Sequence, residues 1–205
     1  MKLFKRFAAA LLVGAMVLAM LTACGGGAAS AAKTDEQKAE DAYMAVLNGV
    51  FGTNQKNNAT LEAAAKNYLN SNLENDGSLK DGGSLVAPLS NNMDKDGNVS
   101  IVMIMTDNAG KPNGLTSEDL AKYNDASAVE SEVNATKKTF AALLKQQNSE
   151  LSDEAIDEAL KKMGDSIVAM GAGSLKKSDK IYTAVAVTLP ASALGGGSSN
   201  GEQGQ

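Results

Sequence analysis

The eight residues Val99-Ser100-Ile101-Val102-Met103-Ile104-Met105-Thr106 constrain the fold more than any other segment. Apolar side chains fall on both alternating faces, so the segment reads as a strand that must be covered on both sides. Two helical patterns precede it. The first runs from Asp35 to Phe51, with Thr34 and Gln37 placed as a capping box, a stripe of Ala39, Tyr43, Val46, Leu47 and Val50, and Gly52 to stop it. The second runs from Ala59 to Leu73, with Leu61, Ala65, Tyr68, Leu69 and Leu73 on one face. Between it and the strand, residues 75–96 are rich in Gly, Asn and Asp and predict a long surface loop.

Three helical segments follow. A short one starts at Thr116 or Ser117 and passes through Leu120 and Tyr123. Ser127 and Glu130 predict a capping box opening a helix to Gln147, with a stripe of Val129, Val133, Thr136, Phe140, Leu143, Leu144 and Gln147. Ser152 caps a third that ends at Met163, with Gly164 after it. Ile167 to Ala172 and Lys180 to Leu189 then read as two strands joined by a Gly/Ser/Lys/Asp loop, and Pro190 ends the pairing. The order α-α-β-α-α-α-β-β predicts an α+β domain over residues 35–190. Its sheet has at least three strands and a C-terminal β-hairpin, flanked by about five helices.

Residue types exclude several chemistries. The chain has no histidine, so Ser-His-Asp and Cys-His sites and His-ligated metals are impossible. It has no tryptophan, and its single cysteine, Cys24, builds neither an internal disulfide nor a zinc cluster.

At the N-terminus, Lys2, Lys5 and Arg6 precede an apolar run from Phe7 to Met20, then Leu21-Thr22-Ala23-Cys24 and three glycines. Charge, a short apolar core and small residues make a secretory signal, and the run is short for a membrane-spanning helix of about 20 residues. One reading is an ordinary signal peptide that is cleaved to release a soluble protein. The residues also resemble a bacterial prolipoprotein, with Leu21-Thr22-Ala23-Cys24 matching the lipobox. That resemblance implies cleavage after Ala23 and a diacylglycerol thioether on Cys24, so that 1–23 is signal peptide and 24–34 a lipidated cysteine with a flexible tether. It implies a cell-membrane protein held by its lipid anchor on the extracytoplasmic face. Residues 191–205, low in complexity from Gly195 onward, predict a disordered tail. Without 1–23 the chain carries 16 lysines, no arginine and 24 acidic residues, a net charge of −8, which argues against nucleic-acid partners.

Four motifs are candidates for chemistry. Asn92, Asp94, Asp96 and Asn98, with Gly97 among them, resemble the first half of an EF-hand calcium loop. The position of that motif's bidentate Glu is taken by Met103, so the competing reading is a polar turn feeding a strand. Ser174-Leu175-Lys176-Lys177 fits Ser-x-x-Lys, but a loop would leave its lysines solvated and charged. Glu150, Asp153, Glu154, Asp157 and Glu158 crowd one helix, where Asp157–Lys161 and Glu158–Lys162 are expected as i,i+4 pairs. Met103 and Met105 share a strand face and read as core rather than as a copper site.

Asn48, Leu61, Ala65, Gly171-Ala172-Gly173 and Tyr182 occur in the order found in CAP (cysteine-rich secretory protein-like) domains, which they weakly resemble. Phe51 stands where that family has Arg, and the family's cleft histidines are missing. The expectation is a lipoprotein acting as a non-enzymatic binding or interaction module, without a cofactor or a resident metal, toward a cell-envelope protein or glycan. The alternatives are a cell-envelope hydrolase using carboxylates or a Ser-Lys pair and, third, a small-solute carrier component.

Overall fold

A computed structural model describes residues 33–90, 92–107, 109–121, 126–147 and 151–194. Residues 1–32, which hold the expected signal peptide, Cys24 and most of the expected tether, lie outside the described residues, as do Tyr123, Glu150, residues 195–205 and the side chains of Leu143, Leu144 and Gln147.

Helix α1 is Asp35–Phe51 and α2 is Ala59–Asn72. The Thr34–Gln37 capping box opens α1: Thr34 Oγ1 accepts the Gln37 N–H at 3.3 Å, and Gln37 Oε1 accepts the Thr34 N–H at 3.0 Å. Gly52 closes it at φ 64°, a left-handed conformation that glycine adopts without a Cβ penalty. Asn58 caps α2, its Oδ1 accepting from the Thr60 and Leu61 N–H groups at 3.1 Å.

Strands β1 (Val86–Pro88), β2 (Asn98–Ile104) and β3 (Gly114–Leu115) follow, then α3 (Ser117–Ala121), α4 (Ala126–Gln147), α5 (Asp153–Ser166), β4 (Ala169–Lys177) and β5 (Lys180–Pro190). The antiparallel sheet is centred on β5. On one side it pairs with β4 along Ala169↔Thr188 to Lys177↔Lys180, and on the other with β2 and β3, while β1 lies outside β2. The chain is therefore α+β with a C-terminal hairpin.

Both faces of the sheet are covered, as the doubly apolar β2 requires. Met103, Met105, Leu115, Met170, Ala172, Ile181, Val185, Val187 and Leu189 pack with α1, α3, α4 and α5. Val102, Ile104, Tyr182, Ala184 and Ala186 pack on the other face with Leu61, Ala65 and Leu69 of α2 and with Leu73 at its C-cap. The floor beneath α2 is made of small residues, Gly171↔Ala186 and Gly173↔Ala184. A Cβ on Gly173 would stand 2.4 Å from the Glu62 carbonyl oxygen, and one on Gly171 2.8 Å from the Asn58 carbonyl oxygen. Glycine at both positions lets the α2 backbone lie directly on β4.

Several boundaries differ from the sequence reading. The segment 75–96 holds β1 and the Leu73↔Leu79 bridge. Its Asp and Gly residues build tight turns rather than open loop. Glu74–Ser78 and Asp94–Asn98, at its two ends, share one geometry: the first N–H donates to the fifth carbonyl at 2.9 Å, and a left-handed glycine, Gly77 or Gly97, donates back to the first carbonyl at 3.1 Å. This is the three-residue hairpin turn with a glycine bulge. The hairpin loop expected over 173–179 shrinks to Ser178 and Asp179, because Ser174, Leu175, Lys176 and Lys177 keep pairing with Thr183 through Lys180. Helix α4 starts at Ala126, so Ser127 lies inside it rather than at its cap. At α3 a box forms instead between Thr116 and Asp119. Helix α5 runs through Gly164 to Ser166; a Cβ there would stand 2.1 Å from the Phe51 carbonyl oxygen, so this glycine serves a close helix approach. Pro190 is still paired, opposite Asn98, and Ala191–Leu194 form a 3₁₀ turn at the start of the predicted tail.

Candidate functional site

Strand β4 is an edge of the sheet, and its outward backbone groups need partners. The α1–α2 connection supplies them. Gln55 Nε2 donates to the Ile167 carbonyl at 3.3 Å, and the Asn58 N–H to the Met170 carbonyl at 3.0 Å. Asn57 closes a two-bond ring with Ala172, donating to its carbonyl at 3.0 Å and accepting from its N–H at 2.8 Å. The Ser174 N–H donates to Glu40 Oε1 at 2.9 Å. Asn48 holds the connection itself, accepting from Thr53 and Gln55 and donating to the Gln55 carbonyl.

Glu40 is the central group of this edge. It projects from α1, 4% exposed, and its Oε1 also meets Lys66 Nζ from α2 at 2.9 Å. Lys66 reaches Glu62 at 2.6 Å as well, so one ammonium bridges two carboxylates and ties α1 to α2 around the strand edge. Burial pushes the Glu40 carboxyl above the usual glutamate range, opposed by Lys66 and the Ser174 N–H. Burial also works against the Lys66 charge, but hydrogen bonds to Glu62 and Glu40 outweigh it and hold its pKa up. Ser174 is buried, its hydroxyl 2.8 Å from Thr183 Oγ1. Lys177 donates to Asn70 Oδ1 at 3.3 Å, and residues three apart on a strand point to opposite faces, so the Ser-x-x-Lys pair is not assembled.

A second polar group lies between α4 and α1. Glu132, Thr136 and Phe140 form the buried stripe of α4. Glu132 is 8% exposed, and neither its Oε1 nor Thr136 Oγ1 has a hydrogen-bond partner. Burial alone lifts the Glu132 carboxyl to about 7. Tyr43 of α1, whose hydroxyl accepts from Asn113 Nδ2 at 3.5 Å, feels its charge. The apolar stripe read from the sequence passes over Glu132, because an acid two residues from Glu130 reads as solvated. The signal available was its i,i+4,i+8 spacing with Thr136 and Phe140.

The calcium candidates form a closed turn. Asp94 Oδ1 accepts from the Asp96 and Asn98 N–H groups at 2.9 and 2.8 Å, and Oδ2 from Asn98 Nδ2 at 3.0 Å, which lowers the Asp94 pKa. Asn92 donates its N–H to Ser90 Oγ at 3.1 Å. Asp94 thus acts as the cap of the turn. Among the described residues no group of three or more Cys, Asp or Glu side chains converges as a metal site. On α5, Glu158–Lys162 forms at 2.7 Å and Asp153 pairs with Lys145 of α4 at 2.7 Å, while no Asp157–Lys161 contact is described. Met103 and Met105 are core residues, and Tyr182 lies against Gly77 and Gly114, donating to the Asp76 carbonyl at 3.3 Å.

No protein-family model, no curated protein and no solved structure matches the chain.

Proposed function

We propose that the chain is a lipoprotein, anchored through Cys24 on the extracytoplasmic face of the cell membrane, whose folded domain works by binding or interaction rather than catalysis. The observation that carries this reading is the N-terminal order Lys2, Lys5, Arg6, apolar Phe7 to Met20, then Leu21-Thr22-Ala23-Cys24. Two acyl chains on one sulfur give a durable hold, since each buried CH₂ contributes about 0.8 kcal/mol, and a net acidic body would need it against anionic headgroups. No helix among the described residues is long and apolar enough to cross a membrane.

A binding role is supported by how the polar groups are spent. Glu40, Glu62, Lys66 and Ser174 satisfy one another and the β4 edge. The β1 edge is blunted as well: Ser84 Oγ takes up both the N–H and the carbonyl of Val86, and Pro88 has no N–H to offer. A partner would then meet side-chain surface rather than add a strand. Met93 and Val168 are the large apolar residues exposed among those described, which favours a polar partner such as an envelope protein or glycan. The hydrolase alternative draws on Glu132, whose raised carboxyl suits a general acid, but such chemistry needs a second group across a cleft.

Cell fractionation of wild type and Cys24→Ser tests the anchor. The reading expects wild type in the membrane fraction and the variant released; identical fractionation would refute it.

A further inference from the structure

The strongest unexplained feature is the interface between α4 and α1, where two buried polar atoms one helical turn apart have no partner. Buried polar groups in folded proteins are nearly always paired, so an orphaned carboxyl oxygen and an orphaned hydroxyl on one helix face call for a role. Among the described side chains of α4, Glu132, Thr136 and Phe140 are buried, the Phe140 ring 6.2 Å from that of Phe51, with half-buried Val129, Val133 and Ala141 alongside. The facing helix α1 buries Ala39, Ala42, Tyr43, Met44, Val46, Leu47, Val50 and Phe51.

We propose that α4 is a proton-operated latch: it docks on α1 while Glu132 is neutral and loosens when Glu132 ionises. A carboxylate with one oxygen buried and unpaired at this interface is more costly than a carboxylic acid, and the helix escapes that cost by lifting Glu132 into water. Among the described residues no cation pairs with Glu132, and burial is the influence that acts on its carboxyl. From α1 the titratable group bearing on Glu132 is Tyr43, which burial keeps neutral well beyond physiological pH. From α5, Asp153 is engaged with Lys145 at the far end of α4. On α4 itself Glu130 is exposed, and Lys137 makes no described ion pair.

The direction follows from linkage. In the docked state the Glu132 carboxyl titrates near 7, against an ordinary value of 4.5 once exposed. Docking is therefore strongest below the lower value, weakens as pH rises between the two, and is fully penalised above the higher one. Between about pH 5.5 and about pH 8.5 the open population of α4 should rise about 30-fold.

Amide hydrogen exchange across residues 126–147, corrected for the intrinsic pH dependence, reads this directly on the whole chain. The expected result is a loss of α4 protection of about that size from low to high pH, with α1 and β5 unchanged. Glu132→Gln, a neutral isostere, should abolish the pH dependence and keep α4 protected throughout, and Glu132→Leu should do the same if the amide packs poorly. Equal wild-type protection at both pH values, or the same loss in both variants, would overturn the latch.

Discussion

Replacing Glu40 by alanine removes the group that joins β4, α1 and α2. Three effects set the size of the change. The Ser174 N–H loses its acceptor at a residue 1% exposed, where water cannot replace it, at a cost of about 1–3 kcal/mol. Lys66 loses one of two carboxylates, but its side chain is 33% exposed and keeps Glu62, so this contributes no more than about 1 kcal/mol. Against these, burial already disfavours the Glu40 charge, and removing it recovers part of the loss. The net destabilisation is about 2 kcal/mol. Glu40→Gln keeps an oxygen for the Ser174 N–H and discards the buried charge, so it should lie within about 1 kcal/mol of wild type. Urea unfolding followed by circular dichroism gives both values from the midpoints at constant m. The Ala variant should unfold at clearly lower urea than the Gln variant. Equal midpoints for the two, or an Ala variant as stable as wild type, would mean that acceptance of the Ser174 N–H does not hold this edge.

Two further outcomes follow from the packing. Gly164→Ala drives a methyl against the Phe51 carbonyl and should lower stability by about 1–3 kcal/mol; Gly52→Ala, with open space but φ 64°, should cost only about 1 kcal/mol by the same unfolding assay. Because Asp94 spends both oxygens inside its own turn, calcium titration by calorimetry should give no saturable heat, and the thermal midpoint should be the same in calcium and in chelator; a calcium-dependent shift abolished by Asp94→Ala would contradict the turn reading.

Where local chemistry and tertiary packing agree, the sequence is legible. Thr34, Gln37 and Gly52 mark the ends of α1 by capping alone, and the doubly apolar β2 foretells a sheet covered on both faces. Legibility fails where the deciding partner is distant in the chain. Lys176 and Lys177 look like loop residues until β5 pairs with them, and Gly171 and Gly173 look permissive until α2 is laid on them. Gly164 has the signature of a helix stop, yet the Phe51 carbonyl, more than a hundred positions away, explains it. The Glu40–Lys66 bridge joins two helices by residues that each fit a solvated face. Glu132 is the extreme case: side-chain type argues for water and only position argues for burial.

The account of where this protein works rests on the sulfur of Cys24 and is tested by the intact mass and N-terminal residue of the protein recovered from its cells. Cleavage and thioether lipidation predict a chain that begins at Cys24 and carries diacylglycerol mass on that residue. A chain retaining residues 1–23 with an unmodified thiol would contradict it.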